Sequence, residues 1–308
     1  MDKTPTSFNN VKHKEGFALM VTLSVLAVLI ALTMVLLSYF EEVQEDAADT
    51  TALIQADVYY SDITTIFDKF KKKKDLFSRL YLFPVPLRSE DGRFTLLLRC
   101  SALSNGANIN WLAMEKNNAM QDAYSFSQTV FDFLTQEYNL QDASRLYEML
   151  IAEIEGKEEF TKNLMGRLRQ KKGIISYKQF AQIVSRYQLE VDDPQVSKIP
   201  WEKYFTFSSN AKVIDAEYSS AELLSLLFDL DVQALREWQG QIEDRSSLES
   251  FVRENGGNYK EREKLIAGKE FLEESQCTVA YQSAERQYNF RFEYIQGEAK
   301  HFEFYGNN

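Results

Sequence analysis

FALMVTLSVLAVLIALTMVLLSYF, residues 17–40, is the stretch that decides the fold: 24 positions from Phe17 to Phe40 without one charged side chain. At about 1.5 Å of rise per residue, a helix of that length covers about 36 Å, more than the roughly 30 Å hydrocarbon core of a bilayer. Core helices of soluble proteins rarely run so long without a charge. A secretory signal is shorter, with an apolar region of about 7–15 residues and a small-x-small cleavage site. This run ends instead in Tyr39-Phe40-Glu41-Glu42, so it reads as a retained transmembrane helix. Lys3, Lys12 and Lys14 precede it, Glu41, Glu42, Glu45, Asp46 and Asp49 follow it, and the next Lys or Arg is Lys69. Basic residues stay on the cytoplasmic side, so the expected topology is a single pass with residues 1–16 inside and the bulk of the chain outside.

The junction is more specific still. Lys12-His13-Lys14-Glu15-Gly16-Phe17 sets a short basic segment and a glycine directly before the apolar helix, with phenylalanine leading it. This resembles the leader junction of type IV pilins and pseudopilins. The resemblance implies that a prepilin peptidase cuts after Gly16 and that the new terminus, Phe17, is N-methylated. A residue without a side chain leaves the backbone open to a protease at the membrane surface. Pilin-like proteins usually carry Glu at the fifth mature position, which here is Val21. An unpaired carboxylate there costs about 2–4 kcal/mol of insertion, so it is kept where a neighbouring subunit offers an amine. Loss of that Glu is similar to minor pseudopilins of the K type in type II secretion, which the family places at the filament tip. Ala18, Ser24, Ala27 and Ala31 are small enough to line one side of the span and admit a close helix contact.

Beyond the span, Val43, Ala47, Ala48, Thr51, Ile54 and Val58, then Ile63, Ile66, Phe67 and Phe70, recur at helical steps with no Pro or Gly between them. The helix is expected to continue, amphipathic, to about Lys71, with Lys71–Lys74 as a solvated basic tip. A strand is expected over Arg93–Leu103, between Asp91-Gly92 and Ser104-Asn105-Gly106. Helical spacing then dominates: Phe126, Val130, Phe133 and Leu134; Leu146, Met149, Leu150 and Ile154, capped by Asp142; Leu164 and Leu168; Phe180, Ile183, Val184 and Tyr187. Short strands follow at Tyr204–Phe207 and Lys212–Ala216. Further helices open on a Ser219/Glu222 capping box and run to about Leu265. Cys277–Gln282, Arg286–Gln296 and Lys300–Tyr305 alternate and are rich in aromatics, which predicts an antiparallel meander with Gly297 in its last turn.

The expected fold class is α+β: a long N-terminal transmembrane helix packed on an antiparallel sheet, as in pilins, with an inserted, mainly helical domain. The division runs as a cleaved leader over 1–16, a membrane segment over 17–40, and its extracytoplasmic continuation over 41–74. A β body follows from 75–118 and 269–308, with the insertion over 119–268. The passage from Phe205 to Leu224, FTFSSNAKVIDAEYSSAELL, resembles the strand, turn and helix of the K-type pseudopilins, and Asn108-Ile109-Asn110 echoes an earlier segment of theirs. Val213-Ile214-Asp215-Ala216 departs from the Asn-rich residues expected there. Phe228-Asp229-Leu230-Asp231 lacks the glycine of the family's helical hairpin, which a DNA-binding version would need.

Little here speaks for catalysis. The mature chain would hold one histidine, His301, and no nucleophile elbow, phosphate loop, zinc helix or dinucleotide fingerprint occurs. A formal charge of −11 disfavours binding to phosphate backbones. Cys100 and Cys277 can pair in an oxidising compartment or stay as two buried thiols. No cofactor is expected. Because some pseudopilins bind calcium, Glu190, Asp192 and Asp193 are candidate ligands, against the alternative of a solvated turn. The function implied is that of a minor pseudopilin in the inner membrane with a periplasmic head, capping or nucleating a type II secretion pseudopilus. Its partners would be other minor pseudopilins, the major pseudopilin, the prepilin peptidase, the inner-membrane assembly platform and the lipid bilayer, with no direct nucleic acid. A competence pseudopilin and a signal-anchored periplasmic binding domain are the alternatives.

Overall fold

The computed structural model describes residues 12–88, 95–157, 173–208, 211–241, 245–268, 271–283 and 286–307. Most of the leader, the Asp91-Gly92 turn and the Leu164 and Leu168 positions lie outside the described residues. Helix α1 spans Lys12–Lys69, 58 residues in one piece, about 87 Å long at helical rise. The missing Pro and Gly after Gly16 account for its continuity. Its outer half lies on a five-stranded antiparallel sheet made of β1 (Val85–Arg88), β2 (Thr95–Ala102), β5 (Glu274–Ser283), β6 (Arg286–Ile295) and β7 (Glu298–Asn307), in the order β1-β2-β5-β6-β7.

Alternation explains the sheet. Leu96, Leu98 and Cys100 of β2, Cys277, Val279 and Tyr281 of β5, and Tyr288, Phe290, Phe292 and Tyr294 of β6 point to one buried face. Ala52, Ala56, Ile63 and Phe67 of α1 press on that face. This corrects the expected helix register. Val43, Ala47, Thr51, Ile54, Val58, Ile66 and Phe70 are exposed, and of the periodic series only Ile63 and Phe67 are fully buried. Two apolar stripes run along this helix, and the alanines of the buried one carry little hydrophobic signal.

The meander of β5, β6 and β7 forms as read. Its last turn holds Gln296 and Gly297 at φ 51° and 81°, the paired left-handed residues of a tight hairpin. Cys100 and Cys277 stand directly opposite on β2 and β5 and are joined by a disulfide. Two elements were not legible. Helix α2 (Lys73–Leu82) and strand β1 occupy the segment after α1, where Pro84 and Pro86 obscured a strand that pairs Pro86 with Leu97 at the sheet edge. The basic run is not wholly a solvated tip either. Lys73 is largely enclosed, donating to the Phe67 carbonyl and, at 2.6 Å, to the Tyr294 hydroxyl, whose ring it also overlies at 5.0 Å.

The second core belongs to the helical unit: α3 (Gln121–Glu137), α4 (Ala143–Glu155), α5 (Tyr177–Val191), α6 (Ala221–Phe228), α7 (Val232–Gly240), α8 (Leu248–Glu254) and α9 (Tyr259–Arg262). Phe126, Val130 and Leu134, Leu146, Met149 and Leu150, and Phe180, Ile183, Val184 and Tyr187 are all buried in it, as their spacing predicts. Phe133 of the same series is exposed. Ala107, Ile109, Trp111 and Leu112 also pack here, so the chain joins the helical unit at about Ala107, earlier than the expected boundary after residue 118. Strand β3 (Ala107–Asn108) pairs in parallel with β4 (Phe205–Thr206), and Ile214 bridges Ile266. Gly106 is required where these segments cross: a Cβ there would lie 2.6 Å from the Phe205 carbonyl carbon.

Two caps show how local chemistry fixes the helix ends. Asp142 accepts the Arg145 N–H at 2.9 Å, as expected. Helix α6 is capped by Ser220, which accepts from Leu223 N at 3.1 Å, while Ser219 donates to the Asp215 carbonyl. The capping box was therefore placed one residue early, and Glu222 serves instead as the partner of Lys203 and Arg236. Asp192 and Asp229 both end helices in the left-handed region, at φ 58° and 56°, a place more often given to glycine. Replacing Asp142 with Ala is expected to lower head stability by about 1 kcal/mol, seen as a lower urea midpoint at unchanged slope.

Candidate assembly surface

From Leu19 to Phe40 every described side chain is exposed, including Val21 at 46% and Leu37 at 62%. Exposed apolar residues all round a helix are costly in water and favourable in lipid. Among the described residues this is the one helix long and apolar enough to cross a membrane. Three of its hydroxyls are already satisfied: Thr22 donates to the Leu19 carbonyl at 2.8 Å, Ser24 to Met20 at 2.9 Å and Thr33 to Ile30 at 2.8 Å. No donor of these three is left to pay for in hydrocarbon. Ser24, Ala27 and Ala31 fall at steps of three and four, on one side of the rod; the side chain of Ala18 is outside the described set. Gly16 and Phe17 lie inside the helix, with Phe17 70% exposed.

Where the helix leaves this apolar section, the sheet grips it through tyrosines. Tyr288 donates to Asp49 at 3.0 Å, Tyr281 to the Ala52 carbonyl, and Tyr294 to Asp68 at 2.9 Å, while Arg286 pairs with Glu45 at 3.2 Å. Tyr60 meets Phe292 edge-on at 5.2 Å, and Tyr59 meets Tyr281 at 5.3 Å. Burial, reinforced by the adjacent carboxylates Asp49 and Asp68, pushes the Tyr288 and Tyr294 hydroxyls upward, so both remain donors at any physiological pH. Acids that sequence reading used only for topology thus have a second job as acceptors. Alternating tyrosines in β5 and β6 were the visible signal for it.

Outside the membrane section, α1 keeps a second unpartnered stripe. Val43, Ile54 and Val58 are 45–61% exposed, on the side of the helix away from Ala52 and Ala56. The rod therefore presents apolar surface both before and after Phe40.

The calcium candidates do not converge. Glu190 pairs with Arg145 at 2.7 Å. Asp193 is buried and accepts from Gln141 N at 2.9 Å, Gln195 N at 3.0 Å and the Tyr187 hydroxyl at 3.3 Å. Asp192 is exposed. Among the described residues no group of three or more His, Cys, Asp or Glu side chains is placed to hold a metal. Structural hydrogen bonding thus accounts for Glu190 and Asp193. His301 sits on β7 with its Nδ1 2.7 Å from Glu293.

No protein-family model matches the sequence, and no curated protein matches it. A solved structure does. The chain is similar to one in the crystal structure of the GspK-GspI-GspJ complex from the enterotoxigenic Escherichia coli type 2 secretion system, at 11% identity and a TM-score of 0.46. The match covers 84% of this chain and 97% of that one.

Proposed function

We propose that this chain is a minor pseudopilin of a type II secretion-like pseudopilus, held in the inner membrane by α1 with its head in the periplasm. The observation that carries the reading is the single unbroken helix: bare and uncharged over residues 17–40, clamped to a sheet over its outer half, and entered through Gly16-Phe17 behind a basic segment. Such a rod has no use for its exposed outer stripe unless other rods lie beside it, so assembly with sister pseudopilins is the service it fits. Val21 supports a place at the filament tip. With no subunit above there is no amine to pair with a carboxylate, and an apolar residue inserts at lower cost. The helical unit adds bulk to the head, which suits an end that nothing stacks upon. Maturation at Gly16 and methylation of Phe17 belong to the same proposal.

Intact-mass analysis of the chain extracted from membranes tests it. The expected product lacks residues 1–16, begins at methylated Phe17 and co-purifies with other minor pseudopilins. A product that retains Met1 and purifies alone would instead identify a signal-anchored periplasmic domain.

A further inference from the structure

The two halves of the head meet along a narrow seam. The chain leaves the sheet at Leu103–Gly106 and returns after Ile266. At the seam the Asp215 N–H donates to the Ser104 carbonyl at 2.7 Å, the Ser104 hydroxyl donates to Glu274 Oε2 at 2.8 Å, and the Leu103 N–H donates to the Glu274 carbonyl at 2.9 Å. Tyr218 stands edge-on to Tyr81 at 4.8 Å, and its hydroxyl shares a 2.7 Å hydrogen bond with Ser78. Open clefts adjoin this strip. One, of about 170 Å³, has Tyr177, Glu202 and Arg291 in its walls; the other, of about 680 Å³, has Trp111, Lys212 and Gln296. The Thr206 hydroxyl, donating to the Leu103 carbonyl, is a further tie beside the strip.

Asp215 is the odd member of that strip, a carboxylate only 7% exposed. The groups facing it are Glu217 and Tyr218 from its own turn, Glu274 from β5, and Lys74 and Tyr81 from α2. Lys74 is the cation that acts on it and is itself exposed, while Glu217 turns partly to Arg245 at 3.0 Å. Burying a negative charge beside two further carboxylates is unfavourable, whereas a neutral carboxyl fits the same place at little cost.

We propose that Asp215 is a proton-operated latch between the halves of the head: neutral, it lets the seam close, and ionised, it releases the helical unit from the sheet. The balance is simple. One proton leaves the carboxyl for solvent, three carboxylates then converge on the seam, and the Asp215–Ser104 hydrogen bond opens. Burial first, then Glu217, pushes this carboxyl up from 3.8 to about 7, with Lys74 acting against them and Glu274 adding to the rise. Because the closed form has the raised value, closure is most favoured below pH 4, weakens as pH climbs, and is weakened little further above about pH 7.

Hydrogen exchange of the full chain in detergent micelles tests the latch, read on peptides covering 102–108, 211–219 and 271–276 and corrected for intrinsic rates. Between pH 5.5 and 8.5 their protection is expected to fall about 30-fold, flattening near the top, from the linkage of the two carboxyl values. The centre of the meander at Val279 and Phe290 should hold its protection throughout. Asp215→Asn keeps the shape without the charge, and its protection should be the same at both ends of the range. A flat wild-type profile, a wild-type slope that survives in Asp215→Asn, or an equal loss at the meander overturns the proposal. If far-UV circular dichroism finds Asp215→Asn unfolded, Glu274→Gln takes its place: removing a facing carboxylate should move the midpoint to lower pH, and an unmoved midpoint overturns the latch.

Discussion

Gly16→Leu is expected to abolish maturation outright, leaving only full-length chain in the membrane. The Gly16–Phe17 bond proposed for cleavage lies within α1, so a protease would first have to extend helical backbone to reach it. Glycine lowers that cost by about 1 kcal/mol relative to a strong helix former and puts no side chain in the way. Leucine reverses both advantages while adding apolar surface, so insertion of the span itself is untouched. Intact mass separates the outcomes cleanly: wild type starting at Phe17 and the variant starting at Met1. If wild type and variant are both found uncut, the glycine has no processing role, and the pseudopilin reading fails with it.

Phe67→Ala should be the most damaging single change in the head, at about 3–5 kcal/mol. Phe67 is 1% exposed and centres an aromatic cluster, 5.0 Å from Phe77, 5.2 Å from Tyr294 and 6.3 Å from Phe292. Its carbonyl also receives the Lys73 ammonium, so the cluster and the turn from α1 into α2 are fixed together. Ile54→Ala, on the exposed stripe of the same helix, should cost less than about 0.5 kcal/mol in the isolated protein. Urea unfolding in micelles, followed by near-UV circular dichroism, reads both. Equal losses at the two positions would mean that the helix packs on its other face.

The contrast between Phe67 and Ile54 marks how far the sequence could be read. Residues 17–40 were legible as an uninterrupted apolar helix, because so long a charge-free run is rare in a soluble core and longer than a secretory signal. The final meander was legible too, since alternation and a Gly-bearing turn leave no second register that buries Tyr288, Phe290 and Phe292. The outer half of α1 was legible as helix but not as to face. Its buried stripe begins with Ala52 and Ala56, whose methyl groups say little, while Ile54 and Val58 advertise a surface turned away from the sheet. Proline hid β1, and four consecutive lysines disguised the start of α2. The pairing of Cys100 with Cys277 could not be decided because distance along the chain carries no information about strand neighbours. Calcium ligation at Glu190, Asp192 and Asp193 was suggested by the resemblance to pseudopilins; only coordinates assign Arg145 to Glu190 and the loop amides to Asp193. Asp215 stood out in the sequence as a departure from an Asn-rich passage, but its enclosure between two structural units has no local signature.

The Cys100–Cys277 cross-link has a mechanical consequence. It joins the strand by which the chain departs the sheet to the strand by which it comes back, so the whole helical unit hangs as a loop from a covalent staple. A covalent path from α1 to the C-terminus runs from β2 across the sulfur bridge into β5 and bypasses that loop. A protease cut anywhere in the loop would likewise leave anchor and C-terminus in one piece. The unit is thereby relieved of bearing load along that path.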